Sequence, residues 1–194
     1  DAYQSRGLGD VYKRQTCHRG QNVPSDIWFK VTPVNASTAG WSSLQNRVTP
    51  LSQYTSLPSD SLEKYLVDGE VIGVHSLESR SDEDITDPDV AAIQNAERTF
   101  ALMNYVSNSL GVNCVFCHNS RAFYDPEQVT PQWGTESLGI GMVLEMNTEY
   151  LIPLGDTYPE NRLGPLHGDA PKAACKTCHK GYQQPLQGTN VIQY

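Results

Sequence analysis

Apolar residues along the chain gather in a few helix-length stretches, separated by long segments rich in Pro, Ser, Asn and Thr. The clearest helical pattern starts at Asp87. Asp87 suits an N-cap, Pro88 the first helical position, and Asp89 the positive end of the helix dipole. Ile93, Ala96, Phe100, Met103 and Leu110 then recur at 3.6-residue spacing and predict one apolar face. Gly111 is placed to end the helix as a C′ residue. A second helix is predicted from Thr135 to about Leu151, with Met142 and Met146 on one side. Ser61 to Val67 predicts a short helix and Glu70 to Val74 a strand. Elsewhere Pro24, Pro33, Pro50 and Pro58, then Pro126 and Pro131, then Pro153, Pro159, Pro165 and Pro171 mark irregular chain. The apolar patch Ile27-Trp28-Phe29 in the first of these is expected to pack on something. Residues 79–84 read as an acidic surface loop. Residues 1–15 show no period and read as foreign sequence joined to the chain, so they are set aside from the fold. The predicted class is mainly α with extensive loops.

Composition adds one constraint. Hydrophobic residues make up 38% of the 194 positions. Counting Gly in place of Tyr gives roughly 41%, below the usual range of about 45–50%. That is thin for a core made of protein alone. A net charge of −8 and a pI near 5.0 argue against a nucleic-acid partner and permit docking to a basic protein. No run of about 18 apolar residues is present to span a membrane.

The chemistry lies in the cysteines. Cys114-Val115-Phe116-Cys117-His118 is a Cys-x-x-Cys-His run, the attachment pattern of c-type haem. Two thiols at that spacing reach the two vinyl groups of one porphyrin, and the histidine that follows becomes the proximal iron ligand. The run recurs at Cys175-Lys176-Thr177-Cys178-His179. A half-copy, Thr16-Cys17-His18, has Arg14 where its first cysteine would stand. All five cysteines fall in these three places. Zinc is the rival reading, but 57 residues separate Cys117 from Cys175, against the usual zinc spacer of about 15–20. Zinc also leaves both histidines unexplained. A thiol–disulfide role lacks the surrounding βαβ pattern. The expected cofactor is therefore haem c, with two complete sites and one partial. Porphyrins would then build much of the core. A c-type cytochrome matures outside the cytoplasm, and no signal peptide is visible, so the expectation is a processed chain or one that lacks its N-terminus.

The layout reads as a weak repeat, a methionine-bearing helix followed by a haem motif, occurring twice. Met103 lies eleven residues before Cys114. Its thioether is either a sixth iron ligand or a filler of core space, and spacing does not separate the two. Core packing is the preferred reading for Met142 and Met146. His75 and His167 fall in loops, where solvation is the preferred reading over ligation of the last haem. The acidic stretch from Asp82 to Asp89 reads as a solvated face, with docking to a basic redox partner as the alternative.

From about Thr16 onward the chain resembles the tetrahaem cytochrome subunit of the photosynthetic reaction centre of purple bacteria. The resemblance rests on Thr16-Cys17-His18-Arg19-Gly20-Gln21, on Ile27-Trp28-Phe29, on Val112 to Phe123, and on Cys175 to Gly181. It implies that Cys17 and His18 are the remnant of the family's second haem site. Cys114, Cys117 and His118 would hold the third haem, and Cys175, Cys178 and His179 the fourth. It also implies that Met103 is the sixth ligand of the third haem. The family's fourth haem takes a histidine from a region that here lies near Arg6, where none is present. The first site and the second haem's methionine are missing. Four haems are expected in the full-length family. The resulting division is 1–15 foreign, 16–86 the second-site remnant with its connector, and 87–194 a two-haem segment. The implied role is electron transfer, not enzymatic catalysis. Electrons would pass from a soluble periplasmic carrier through c-type haems to the photo-oxidised chlorophyll pair. The chain would bind the reaction-centre core subunits on the periplasmic face of the photosynthetic membrane, membrane-associated through the complex. The rival is a free periplasmic multihaem cytochrome or haem reductase.

Overall fold

The computed structural model describes residues 15–31, 58–73, 93–123 and 125–188. Four α-helices organise them: α1, Ser61–Leu66; α2, Ile93–Leu110; α3, Pro131–Glu145; and α4, Cys175–His179. Short 3-10 turns at Cys114–Phe116, Ile152–Thr157 and Glu160–Arg162 and a π-helical turn at Met146–Leu151 fill the connections. Among the described residues there is no strand ladder, only one antiparallel bridge between Trp28 and Lys172.

α1 forms where the short helix was expected. Leu62, Tyr65 and Leu66 are buried at helical spacing. Asp60 stands at its N-cap position but does not cap it. Its carboxylate instead accepts from the Arg98 guanidinium at 3.1 Å, which ties α1 to α2. Tyr65 Oη and Thr99 Oγ1 add a hydrogen bond at 3.0 Å between the same helices. The strand expected after α1 does not form over residues 70–73. The Asp68 N–H donates to Glu63 O at 2.9 Å and the Glu70 N–H to Lys64 O at 3.0 Å, so the chain wraps back onto its own helix. Val71 is 90% exposed, and among the described residues no strand lies beside this segment.

α2 turns a different face to the core from the one its periodicity suggested. Ala101, Leu102, Tyr105, Val106 and Ser109 are buried, whereas Phe100 is 57% exposed and Met103 only half-buried. The expected start at Asp87 lies outside the described residues. The end is as expected: Gly111 takes a left-handed φ of +67°, and the Val112 N–H bonds Ser107 O at 3.0 Å. A side chain at Gly111 would collide with the Gly181 carbonyl, so the glycine is needed for close approach as well as for conformation.

α3 begins at Pro131, four residues earlier than predicted, because proline is suited to the first helical turn. It stops at Glu145, where the helix widens into the π turn. Trp28, Leu62, Tyr65, Leu66, Leu102, Tyr105, Val106, Val143 and Ala174 form the core. Complete burial of Leu66 and Leu102 contributes about 1.5–3 kcal/mol each. α4 packs against α2 and α3 beside this core.

Candidate haem-attachment site

α4 is itself the second complete motif. Ala174 precedes it in extended conformation, and the Ala174 N–H donates to Thr177 Oγ1 at 3.0 Å. Thr177 Oγ1 in turn donates to Asp26 O at 2.8 Å, and the residue is 1% exposed. The Lys176 N–H donates to Tyr105 Oη at 3.2 Å. The helix stops at Lys180, left-handed at φ +58°, followed by Gly181 at +90°. His179 Nδ1 lies 3.0 Å from Tyr182 O. A carbonyl only accepts, so Nδ1 carries the proton and Nε2 keeps its lone pair. That tautomer is the one a metal requires.

The half-copy is folded in the same way. Residues 15–18 form a helical turn, Arg19 is left-handed at φ +48°, and Gly20 follows at +81°. The Arg19 N–H donates to Gln15 O at 3.0 Å, as the Lys180 N–H does to Lys176 O at 3.2 Å. His18 Nδ1 lies 3.0 Å from Gln21 O, three residues on, as His179 does from Tyr182. The half-motif therefore keeps the proximal-histidine geometry of a complete one.

These two copies lie together. Cys17 Sγ is 2.7 Å from Cys178 Sγ. Arg19 Nη2 donates to Cys178 O at 2.9 Å. Lys180 Nζ donates to Ser25 O, Ser25 Oγ and Asp26 Oδ2 at 2.6–2.7 Å. The hydrogen bond from Cys178 holds the Cys17 thiol down to about 7 against the cost of burial, with the Lys180 and Arg19 charges adding to the effect. The same contact, with burial, pushes Cys178 up.

The first complete motif has another form. Cys114–Phe116 is a 3-10 turn, and the His118 N–H donates to Cys114 O at 3.0 Å. Cys114 is exposed, Val115 is 52% exposed and Cys117 is buried. His118 stacks on Phe123 with ring centroids 5.0 Å apart. Its Nδ1 is buried without a hydrogen-bond partner. Thr130 joins this motif to the start of α3: its Oγ1 donates to Phe116 O at 2.6 Å and its N–H to Cys117 O at 3.1 Å. Burial pushes the Cys117 thiol up to about 12, and the Glu136 carboxyl beside it acts in the same direction. Burial likewise pushes Cys175 up to about 12.

A covalent porphyrin fits these residues. Both thiol pairs are followed by a histidine, and His18 and His179 have Nδ1 held by a carbonyl, which leaves Nε2 for a metal. Phe100, Val115 and Phe123 leave large apolar side chains 48–57% exposed on α2 and around the first complete motif. Among the described residues no three His, Cys, Asp or Glu converge as a metal cage, so the zinc reading finds no site.

Residues 12–194 match the family model described as photosynthetic reaction centre cytochrome C subunit. The chain belongs to this family. It is 70% identical over 177 residues to the photosynthetic reaction center cytochrome c subunit of Roseobacter denitrificans, covering 91% of this chain and 48% of that protein. The proteins of the same description from Rubrivivax gelatinosus and Thermochromatium tepidum are 37% and 36% identical over 180 and 178 residues. Each match covers 92% of this chain, and 48% and 43% of the relative. The chain thus spans about half the length of the curated relatives it matches. The resemblance drawn from the motif residues is borne out, and the rival free cytochrome or haem reductase is not favoured. The match begins within the 1–15 segment. Membership of the reaction-centre cytochrome family implies covalently bound haem c.

The remaining candidates divide. Met103 is half-buried against the core cluster. Met146 is half-buried, but Met142 is 53% exposed, which overturns the expectation that it fills core space. Its position on the outer side of α3 leaves it no core to enter. His167 is exposed. His75 and the acidic stretch from Asp82 to Asp89 lie outside the described residues. Sequence reasoning missed Asn147, which is fully buried and binds the segment leading into α4. Its Nδ2 donates to Leu66 O at 2.9 Å and Ala173 O at 3.0 Å, and its Oδ1 accepts the Ala173 N–H at 2.9 Å. No motif marks a lone asparagine.

Proposed function

We propose that this chain carries electrons as part of a reaction-centre cytochrome subunit, holding haem c at two complete sites. Cys114 and Cys117 supply the thioethers of one site, His118 its proximal ligand and Met103 its sixth ligand. Cys175, Cys178 and His179 supply the other. Cys17 and His18 are a partial third site. A bound haem supplies a one-electron Fe(III)/Fe(II) couple. The protein's share is to fix spacing, ligand identity and surroundings. The residues described as buried around α4 exclude water from one side of its motif, and Tyr182 O fixes the ligating nitrogen of His179. No general acid, base or nucleophile is needed, which agrees with an electron carrier and not an enzyme.

The observation that carries the reading is the pairing of each thiol pair with an adjacent histidine in a chain whose family is a reaction-centre cytochrome. The electron donor is a soluble periplasmic protein, and the acceptor is the chlorophyll pair within the reaction-centre core subunits. The chain then works on the periplasmic face, held to the membrane through that complex. Among the described residues no helix is long and apolar enough to cross a membrane. In this setting the haems complete the apolar core that the composition left thin.

The test is a pyridine haemochrome spectrum on chain matured with the haem-attachment machinery, with haem counted per chain. Two covalent haems support the reading. Met103→His should keep both and lower the midpoint potential of one, since methionine ligation raises it. No covalent haem would overturn it.

A further inference from the structure

Cys17 has no partner in its own motif, since Arg14 occupies the position of the missing thiol. Its sulfur is nonetheless held against another. Cys178 Sγ lies 2.7 Å away, across 161 positions of sequence. The two segments are fastened on both sides of the pair. Arg19 reaches the Cys178 carbonyl, Lys180 reaches Ser25 and Asp26, and Thr177 reaches the Asp26 carbonyl. Cys178 therefore has two possible fates, a thioether to haem or a bond to Cys17. Cys175, its motif partner, packs instead against the core cluster.

We propose that in the haem-free chain Cys17 and Cys178 join as a disulfide that withholds Cys178 from haem attachment. The withholding rests on the haem reading above; the bond itself does not. A disulfide bond measures about 2.05 Å, so the sulfurs need to approach by less than about 1 Å. The oxidant is an external disulfide of the protein or small-molecule class. The Cys17 thiolate attacks one of its sulfurs, breaks the S–S bond and expels one thiolate. Cys178 then attacks Cys17 Sγ in the mixed disulfide and expels the second. The two thiol protons end on the two departing thiols. The cysteine pair loses two electrons and the oxidant gains them. An external dithiol must reverse the exchange before the second complete motif can take haem: it attacks the Cys17–Cys178 bond, gives up two electrons and two protons, and leaves as its own disulfide. The first motif lies outside this control, because the thiol that Cys17 touches is Cys178.

The experiment exports the full chain to an oxidising compartment without haem-attachment machinery. Free thiols are trapped by alkylation, and the unreduced digest is mapped by mass spectrometry. The expected result is a Cys17–Cys178 linked peptide that separates on reduction. Free, alkylated Cys17, or Cys178 linked only to Cys175, overturns the proposal. With the machinery present, Cys17→Ser and Cys17→Ala should raise haem occupancy at Cys175 and Cys178 at least twofold and leave that at Cys114 and Cys117 unchanged. Equal occupancy in variant and parent overturns the withholding role. Absence of haem at Cys114 and Cys117 in every form is a failure of the haem reading, and it is seen separately from the cross-link.

Discussion

Cys114–His118 and Cys175–His179 carry the same five-residue pattern in two different settings. The second is an α-helical turn set against the core, with Thr177 buried and its hydroxyl donating to the Asp26 carbonyl, the Lys176 N–H donating to Tyr105 Oη, and His179 oriented by Tyr182. The first is a 3-10 turn with Cys114 and Val115 exposed and a histidine whose inner nitrogen lacks a partner. The pattern sets the spacing of sulfur and nitrogen in both. How much of the final geometry the polypeptide supplies by itself is decided by what surrounds it. The second motif is preorganised by protein contacts, whereas the first relies on Phe123, Thr130 and the porphyrin it would hold.

The sharpest way to break this contrast is Asn147→Ala. The change strands the Ala173 N–H just before α4 and the Leu66 carbonyl at the end of α1, while the Ala173 carbonyl keeps only the Trp28 indole N–H. At about 1–3 kcal/mol per unsatisfied buried group, a loss of about 3–5 kcal/mol in urea denaturation is expected. Haem loading at Cys175 and Cys178 should fall while loading at Cys114 and Cys117 persists. Equal loss at both would show that the two settings are not independent.

Acid should act next. Burial alone would raise the Asp169 carboxyl, but hydrogen bonds from the Lys172 ammonium and the Lys30 N–H outweigh it and hold the group below the usual carboxylate range. A carboxylate whose folded value is depressed contributes stability that is complete above its unfolded value, about 4. That contribution is lost as pH falls through the folded value. Lys172 pairs with Trp28 through the bridge and lies 5.1 Å from its ring, so the loss reaches the support of α4. Urea midpoints should hold from pH 7 to pH 5 as far as this group is concerned and decline below about pH 4. Asp169→Asn should flatten that decline and cost about 1–2 kcal/mol at pH 7. The smallest effect belongs to Phe123→Ala, which removes one stacked ring from a half-exposed site. It should cost about 1 kcal/mol and broaden the imidazole NMR signals of His118 without moving those of His179.

The sequence made the helices and the haem motifs legible because both are local. Gly111 as a helix stop, Ser61 to Val67 as a helix and the packing of Trp28 follow from neighbouring residues and their periods. The errors arose where distant parts of the chain decide. On α2 the expected apolar face divides: Phe100 is 57% exposed, whereas Met103 and Leu110 reach the edge of the core, because periodicity says which residues share a side and not which of them meet a partner. The strand at residues 70–73 had the β-branched pair Val71 and Ile72 but no neighbour to pair with among the described residues. Asn147 and the Cys17–Cys178 contact depend on segments 26 and 161 positions apart. No local pattern encodes such distances.

The meeting of Gly111 with the Gly181 carbonyl has a further meaning. The Gly181 N–H also donates to Ser109 O at 2.7 Å. The end of the helix that leads into one motif is thus fastened to the turn that leaves the other, by main chain alone. Such a joint behaves as a fixed gauge. Side chains around either motif can change, yet the interval between the two motifs, which on the proposed function an electron would cross, is set by backbone atoms.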